Sequence, residues 1–192
     1  MNVLMIIRHA EKPVGSGAPY GITADGVQDA HSLTVRGWTR AGALVGLFDP
    51  RDASGDPLAL YAGLSRPTTV VAAEPTTGTS KSKRAEETVT PLAAALGTDL
   101  DLTYSLGQEA ELASWLTGPD GPSGPTLVAW EHQHILDIIA NLGQITPTPP
   151  KSWPAGRFDI VYVFTRATRG HGWAFAQIPQ MLLAGDSSSP IS

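Results

Sequence analysis

Val3-Leu4-Met5-Ile6-Ile7-Arg8-His9 decides how this chain is read. Residues 3–7 are apolar and partly β-branched, with no alternation, which is the pattern of a short strand buried on both faces. Such a strand belongs in a sheet covered by helices on either side. Arg8 and His9 stand where that strand ends, and in open α/β sheets ligands gather beyond the C-terminal strand ends.

Working outward, residues 13–32 are rich in Gly, Ala and Asp, have no period, and read as a loop. Thr34 is a plausible N-cap for a helix through Leu47, with Trp38, Ala41, Leu44, Val45 and Phe48 on one face. Residues 49–57 form a turn region, and residues 58–62 read as a second strand. Residues 63–80 are polar and Thr-rich, without a clear element. Ser80 or Ser82 caps a helix to about Leu96, stopped by Gly97, with Pro91 either kinking it or splitting it in two. Residues 100–104 read as a strand and 108–116 as a helix. A Gly/Pro loop covers 119–125, a buried strand 126–130 and a helix 133–142. The Pro-rich stretch 146–156 is a loop. Residues 158–165 and 173–177 pair as a hairpin across Arg169-Gly170-His171-Gly172. The end, from about residue 186, is expected to fray.

Strands alternating with helices predict an α/β fold, a mostly parallel sheet with helices on both faces. The 192 residues suit a single domain over 1–192, given about 150 residues per domain as a prior. Lys plus Arg (13) against Asp plus Glu (18) gives a net charge of −5, which argues against a nucleic-acid partner. The absence of cysteine excludes disulfides, thiolate metal sites and a cysteine nucleophile. The apolar start is too short for a signal peptide or a membrane span. A cytoplasmic protein without a membrane partner is expected.

Two histidines, His9 and His132, each follow a predicted buried strand, so both lie at one edge of the sheet. Arg8 precedes His9, and Ser80-Lys81-Ser82-Lys83-Arg84 puts basic residues on the first turn of a helix, where free N–H groups already favour anions. Two arginines and two histidines converging in an acidic protein suit phosphate, whose oxygens accept bidentate guanidinium bonds. His31, His134 and His171 are read as structural. His132-x-His134 has no third ligand placed near it, so no metal is assigned. A phosphate-binding Gly-rich loop, a serine elbow, a dinucleotide fingerprint and an H-E-x-x-H helix are all missing.

Ile6-Ile7-Arg8-His9-Ala10-Glu11 closely resembles the Arg-His-Gly/Ala-Glu signature of the histidine phosphatase superfamily, the group of phosphoglycerate mutases and small phosphohistidine phosphatases. Further matches follow in the family's order. Leu33-Thr34-Val35-Arg36-Gly37-Trp38-Thr39-Arg40-Ala41 resembles its Leu-Thr-x-x-Gly-x-x-Gln-Ala helix start. Ser82-Lys83-Arg84-Ala85-Glu86-Glu87-Thr88 resembles its Ser-x-x-Arg-Ala-x-x-Thr segment, offset by one residue at the serine. Val128-Ala129-Trp130-Glu131-His132 sits where the family has a strand ending in its second histidine.

The resemblance implies a three-layer α/β/α sandwich and a metal-independent phosphatase without cofactor. It makes His9 the nucleophile, Arg8 and Arg84 the pair on the phosphoryl oxygens, and His132 the fourth member of the phosphate pocket. A carboxylic acid must protonate the leaving oxygen. The family places one after the Arg-Ala-x-x-Thr helix, which points first to Glu109 and then to Glu111, with Glu131 and Glu11 as further candidates. Glu131 and Gln133 around His132 depart from the family, which often has Gly before this histidine and a small residue after it. Lys12, Asp29 and His31 are candidate substrate contacts. The expected substrate is a phosphorylated small molecule or a phosphoprotein. The alternatives are a phosphoglycerate mutase-type phosphotransferase, or a pseudo-enzyme that binds phosphorylated ligands.

Overall fold

The computed structural model describes residues 2–77 and 81–192. β1 (Asn2–Arg8) is the buried strand expected at the start, six of its seven residues being inaccessible. Thr34 caps α1 (Val35–Phe48), its hydroxyl accepting from the Gly37 amide. A Cβ on Gly37 would lie 2.5 Å from the carbonyl oxygen of Glu11, so only glycine lets α1 approach the chain leaving β1 this closely.

β2 is Thr69–Ala72, not residues 58–62. The run 58–62 is apolar in sequence, but Leu58 and Tyr61 are exposed, whereas Val70, Val71 and Ala72 are fully buried. Four residues are too few to show a period, and the threonines before them read as loop. α2 (Arg84–Leu96) starts two residues after Ser82, with Lys83 at the cap position and no side-chain cap. Ser80 lies outside the described residues. Pro91 neither splits α2 nor ends it, and Gly97 closes the helix in the left-handed region at φ 66°.

β3 is only Leu100–Asp101, and α3 spans Glu109–Thr117. β4 (Thr126–Trp130) and α4 (His132–Ala140) follow. A two-residue strand, β5 (Ile145–Thr146), interrupts the expected loop, and β6 (Ile160–Arg166) and β7 (Trp173–Pro179) form the hairpin. The seven strands make one sheet in the order β3-β2-β4-β1-β6-β7-β5. β1, β2, β3 and β4 are mutually parallel, and β6 runs antiparallel to both β1 and β7.

Right-handed crossovers fix the layers. α1 and α2 connect strands stepping one way across the sheet; α3 and α4 follow steps the other way. Accordingly α1 packs on α2 and α3 on α4, giving the α/β/α sandwich. The end of the chain is docked, against the expectation of fraying: Ile191 is buried, its amide donates to the Gln177 side chain, and the Ser187 amide donates to Asp159. Among the described residues no helix is long and apolar enough to cross a membrane.

Candidate active site

The parallel neighbours β1 and β4 end side by side, Arg8 opposite Trp130. The His9 amide donates to the Trp130 carbonyl at 2.9 Å, which carries the ladder one residue beyond the strand. This fixes the His9 backbone before its side chain makes any contact.

The His9 ring is 1% exposed. Its Nδ1 lies 2.7 Å from the carbonyl oxygen of Ala10. A carbonyl only accepts, so the proton sits on Nδ1 and the lone pair on Nε2. Nε2 is buried without a hydrogen-bond partner. Burial first, then the charges of Arg8, Arg84 and Lys12, hold the imidazole well below its ordinary pKa. His9 is a neutral base with its free nitrogen in a cationic pocket.

Arg8 is anchored by Nη1, which donates to the carbonyls of Ala155 at 2.5 Å and Arg157 at 3.2 Å. Its guanidinium lies 3.9 Å over the Phe158 ring, and Phe158 also flanks His9 at 6.1 Å between centroids. Nε and Nη2 stay buried and unpartnered. Burial pushes Arg8 down to about 10, opposed by Glu131 and reinforced by Arg84.

Arg84 opens α2 and donates from Nη1 to the Ala30 carbonyl at 3.1 Å, leaving Nε buried and unpartnered. The loop that supplies Ala30 is itself clamped. Asp29 binds Lys83 at 2.9 Å and accepts from the His31 amide and the Ser32 hydroxyl, bonds that hold its carboxyl at about 2. Asp29 therefore braces the loop under Arg84, while His31 is exposed.

α2 is tied to the chain just after His9 from its other side. The Thr88 hydroxyl accepts from the Ala10 amide at 2.8 Å and donates to the Arg84 carbonyl at 2.6 Å. Glu87 accepts from the Leu33 amide at 2.8 Å.

His132 begins α4, with Glu131 as its N-cap accepting from the Gln133 amide. The other Glu131 oxygen lies 2.7 Å from His132 Nδ1, close enough for an ion pair but not aligned as a hydrogen bond. Burial and Arg8 lower the His132 pKa; Glu131 acts against both. The charge of Glu131 also reaches Arg8, Lys12 and Arg84. It is a carboxylate within the cationic cluster, where Glu11 also acts on Arg8 and Glu87 on Arg84.

Glu109 is not. Its carboxylate is buried and accepts from the Gly107 amide and from the Trp130 indole at 3.0 Å, and it lies 3.2 Å from His134. Those contacts engage its carboxylate, and among the described residues it makes no ion pair with Arg8 or Arg84. Glu111 is exposed on α3. Glu11 pairs with Arg40 at 2.8 Å and Arg36 at 3.1 Å. Arg40, 2% exposed, also binds Asp186 at 2.7 Å, and this network joins the loop after β1 to the chain end.

Sequence reading named Lys12 as a candidate substrate contact, and its charge does act on His9; it missed Phe158 and the Ala155 and Arg157 carbonyls. Nothing local in 155–158 marks these groups. They reach Arg8 only because β6 pairs with β1. Glu109, His134 and Asp137 bring ligand atoms within 4.8 Å of one another, but Glu109 is already engaged and Asp137 is largely exposed.

No family model and no curated protein matches the sequence. Solved structures do match. The mycobacterial glucosyl-3-phosphoglycerate phosphatase complexed with VO3 aligns at 13% identity and a TM-score of 0.51, over 91% of this chain and 96% of that one. The chain shares the fold of that phosphatase. Ecdysone phosphate phosphatase from Bombyx mori, in complex with tungstate, aligns at 14% identity and a TM-score of 0.49, over 100% of this chain and 98% of that one. Phosphoserine phosphatase from Entamoeba histolytica, with 3-phosphoglyceric acid, aligns at 14% and 0.46, over 86% and 91%. At these identities the likeness is one of fold. In this chain Arg8, His9, Arg84 and His132 gather at the C-terminal ends of β1 and β4 and the helix starts beside them.

Proposed function

We propose that this chain is a metal-independent phosphatase, cytoplasmic, that hydrolyses phosphate monoesters of a small molecule or a phosphoprotein through a phosphohistidine on His9. One observation carries the reading: His9 Nε2, Arg8 Nε and Nη2, and Arg84 Nε are buried together without partners. A neutral nucleophile ringed by unpaired guanidinium donors is what a phosphoryl group would complete.

In the first step the Nε2 lone pair attacks phosphorus and the phosphorus–oxygen ester bond breaks. Nδ1 keeps its proton on the Ala10 carbonyl. Arg8 and Arg84 supply the positive charge that the transferring phosphoryl needs, the part that metal ions take in kinases. The leaving oxygen takes a proton from His132, whose imidazolium form the Glu131 carboxylate at 2.7 Å stabilises. A phosphate dianion entering beside Arg8 offsets the repulsion that keeps His132 neutral, so substrate charges His132. In the second step water attacks phosphorus, returns a proton to His132, and frees phosphate and neutral His9.

Arg84 bears on His9 directly, which favours turnover over a binding role alone. The test is release of p-nitrophenol from its phosphate ester with EDTA throughout. Wild type turns over and His9→Ala, still folded, does not. Retained activity in His9→Ala, or loss of wild-type activity to EDTA, overturns the reading.

A further inference from the structure

Arg166 ends β6 and pairs with Asn2 at the beginning of β1, so it lies at the edge of the sheet opposite His9. It is 6% exposed. Its guanidinium carbon sits 4.1 Å over the Trp173 ring. Stacking satisfies the flat face of a guanidinium, while its N–H groups point outward in the plane. Arg166 Nε and Nη2 are buried there with no hydrogen-bond partner.

Arg169, three residues on, adds to the problem. Its Nη2 donates to the carbonyls of Gly121 at 2.9 Å and Pro122 at 3.0 Å, but Nη1 is buried and unpartnered. Burial and the charge of Arg169 both work against a proton on Arg166, and no carboxylate acts in its favour. A buried cation without a counter-ion is costly, and so is a buried N–H without an acceptor. In a chain with a net charge of −5, this spot is an exception.

Arg166 also lines a cavity of about 280 Å³, closed by Thr117, Gly143, Gln144 and the hairpin turn at Gly170 and His171. That volume is at the lower limit of ligand sites, which admits a small anion and not a nucleotide. We infer that this pocket binds a small oxyanion, inorganic phosphate or a short carboxylate, on Arg166, with the charge of Arg169 close beside it. The inference does not rest on the phosphatase reading, since the two pockets lie at opposite edges of the sheet.

The experiment is a calorimetric titration of inorganic phosphate, with citrate as a second probe. Arg84→Gln weakens phosphate at the His9 pocket and isolates the hairpin site. In that variant, phosphate or citrate is expected to bind one to one and to shift the Trp173 indole N–H resonance. Arg169→Gln is expected to weaken this binding at least tenfold and to leave p-nitrophenyl phosphate turnover unchanged. Arg166→Gln adds a second arm if it stays folded. Phosphate against citrate tells the two anion chemistries apart. Failure of both anions to bind Arg84→Gln, or binding that leaves Trp173 unmoved or survives Arg169→Gln at full strength, overturns the inference. A wild type with one site that survives Arg84→Gln supports this site and counts against the phosphate pocket.

Discussion

His9 owes its reactivity to two neighbours of opposite kind. The Ala10 carbonyl fixes the proton on Nδ1, and the arginines forbid a second one, so Nε2 is available at neutral pH. At His132 the balance differs, because Glu131 opposes Arg8. The proposed roles use this difference: His9 is to attack and the Glu131–His132 pair to move the proton. Glu131→Gln should therefore split substrates by leaving group. With an alkyl phosphate, whose departing oxygen needs a proton, kcat should fall on the order of 10²–10⁴-fold. With p-nitrophenyl phosphate, which leaves as a stable anion, it should change little. Steady-state kinetics on both esters checks this, with Glu109→Gln in parallel; a split in Glu109→Gln alone would return the role to Glu109. Arg8, His9, Arg84 and His132 were legible in the sequence because each sits at a strand or helix end whose direction follows from the fold. The partners of Glu109, the Trp130 indole and the Gly107 amide, were not legible, because no local pattern encodes those contacts.

At the scale of elements, the site is a junction between β1, the start of α2 and the start of α4. Thr88 links two of them, since its hydroxyl holds both the Ala10 amide and the Arg84 carbonyl. Thr88→Val keeps the shape and removes the acceptor, leaving a buried N–H unpaired. A loss of about 1–3 kcal/mol in unfolding free energy is expected, together with slower turnover as Ala10 and its carbonyl shift. Chemical denaturation and kinetics together check this; unchanged stability and rate would show that Thr88 does not hold the junction. Most elements were readable from period and caps: Thr34 before α1, Gly97 after α2, the unbroken apolar run of β4. β2 was not, because Val70, Val71 and Ala72 are too short a run to compete with the longer apolar stretch at 58–62. That stretch failed for a tertiary reason: Leu58 and Tyr61 are exposed, and only Leu60 packs against the core. Likewise the tail from 186 looked free in sequence, but Asp186 reaches the buried Arg40 and Ile191 packs into the core.

For the whole molecule, burying neutral histidines makes stability depend on pH. The folded-state pKa values of His9 and His132 are depressed, while the unfolded chain titrates near about 6.5. Below that value the unfolded state binds more protons, so stability is present above about pH 6.5 and falls as pH drops, by up to about 1.4 kcal/mol per pH unit for each proton. The depressed carboxyls Asp29, Asp49 and Asp186 act in the same direction, but only once pH falls toward about 4. Unfolding free energy measured between pH 5 and 7, about the range where only histidines titrate, should decline with acid and decline less steeply in His9→Asn. Equal slopes would mean that His9 is not buried neutral.

The proposed mechanism stands or falls on a covalent bond between His9 and phosphorus. The most direct measurement is to quench the enzyme during turnover of a labelled phosphate ester and map the label by peptide mass spectrometry under alkaline conditions that preserve phosphohistidine. The expected result is phosphate on His9 alone, absent from His9→Ala. Phosphate on another residue, or turnover by His9→Ala without a phosphoenzyme, would contradict it.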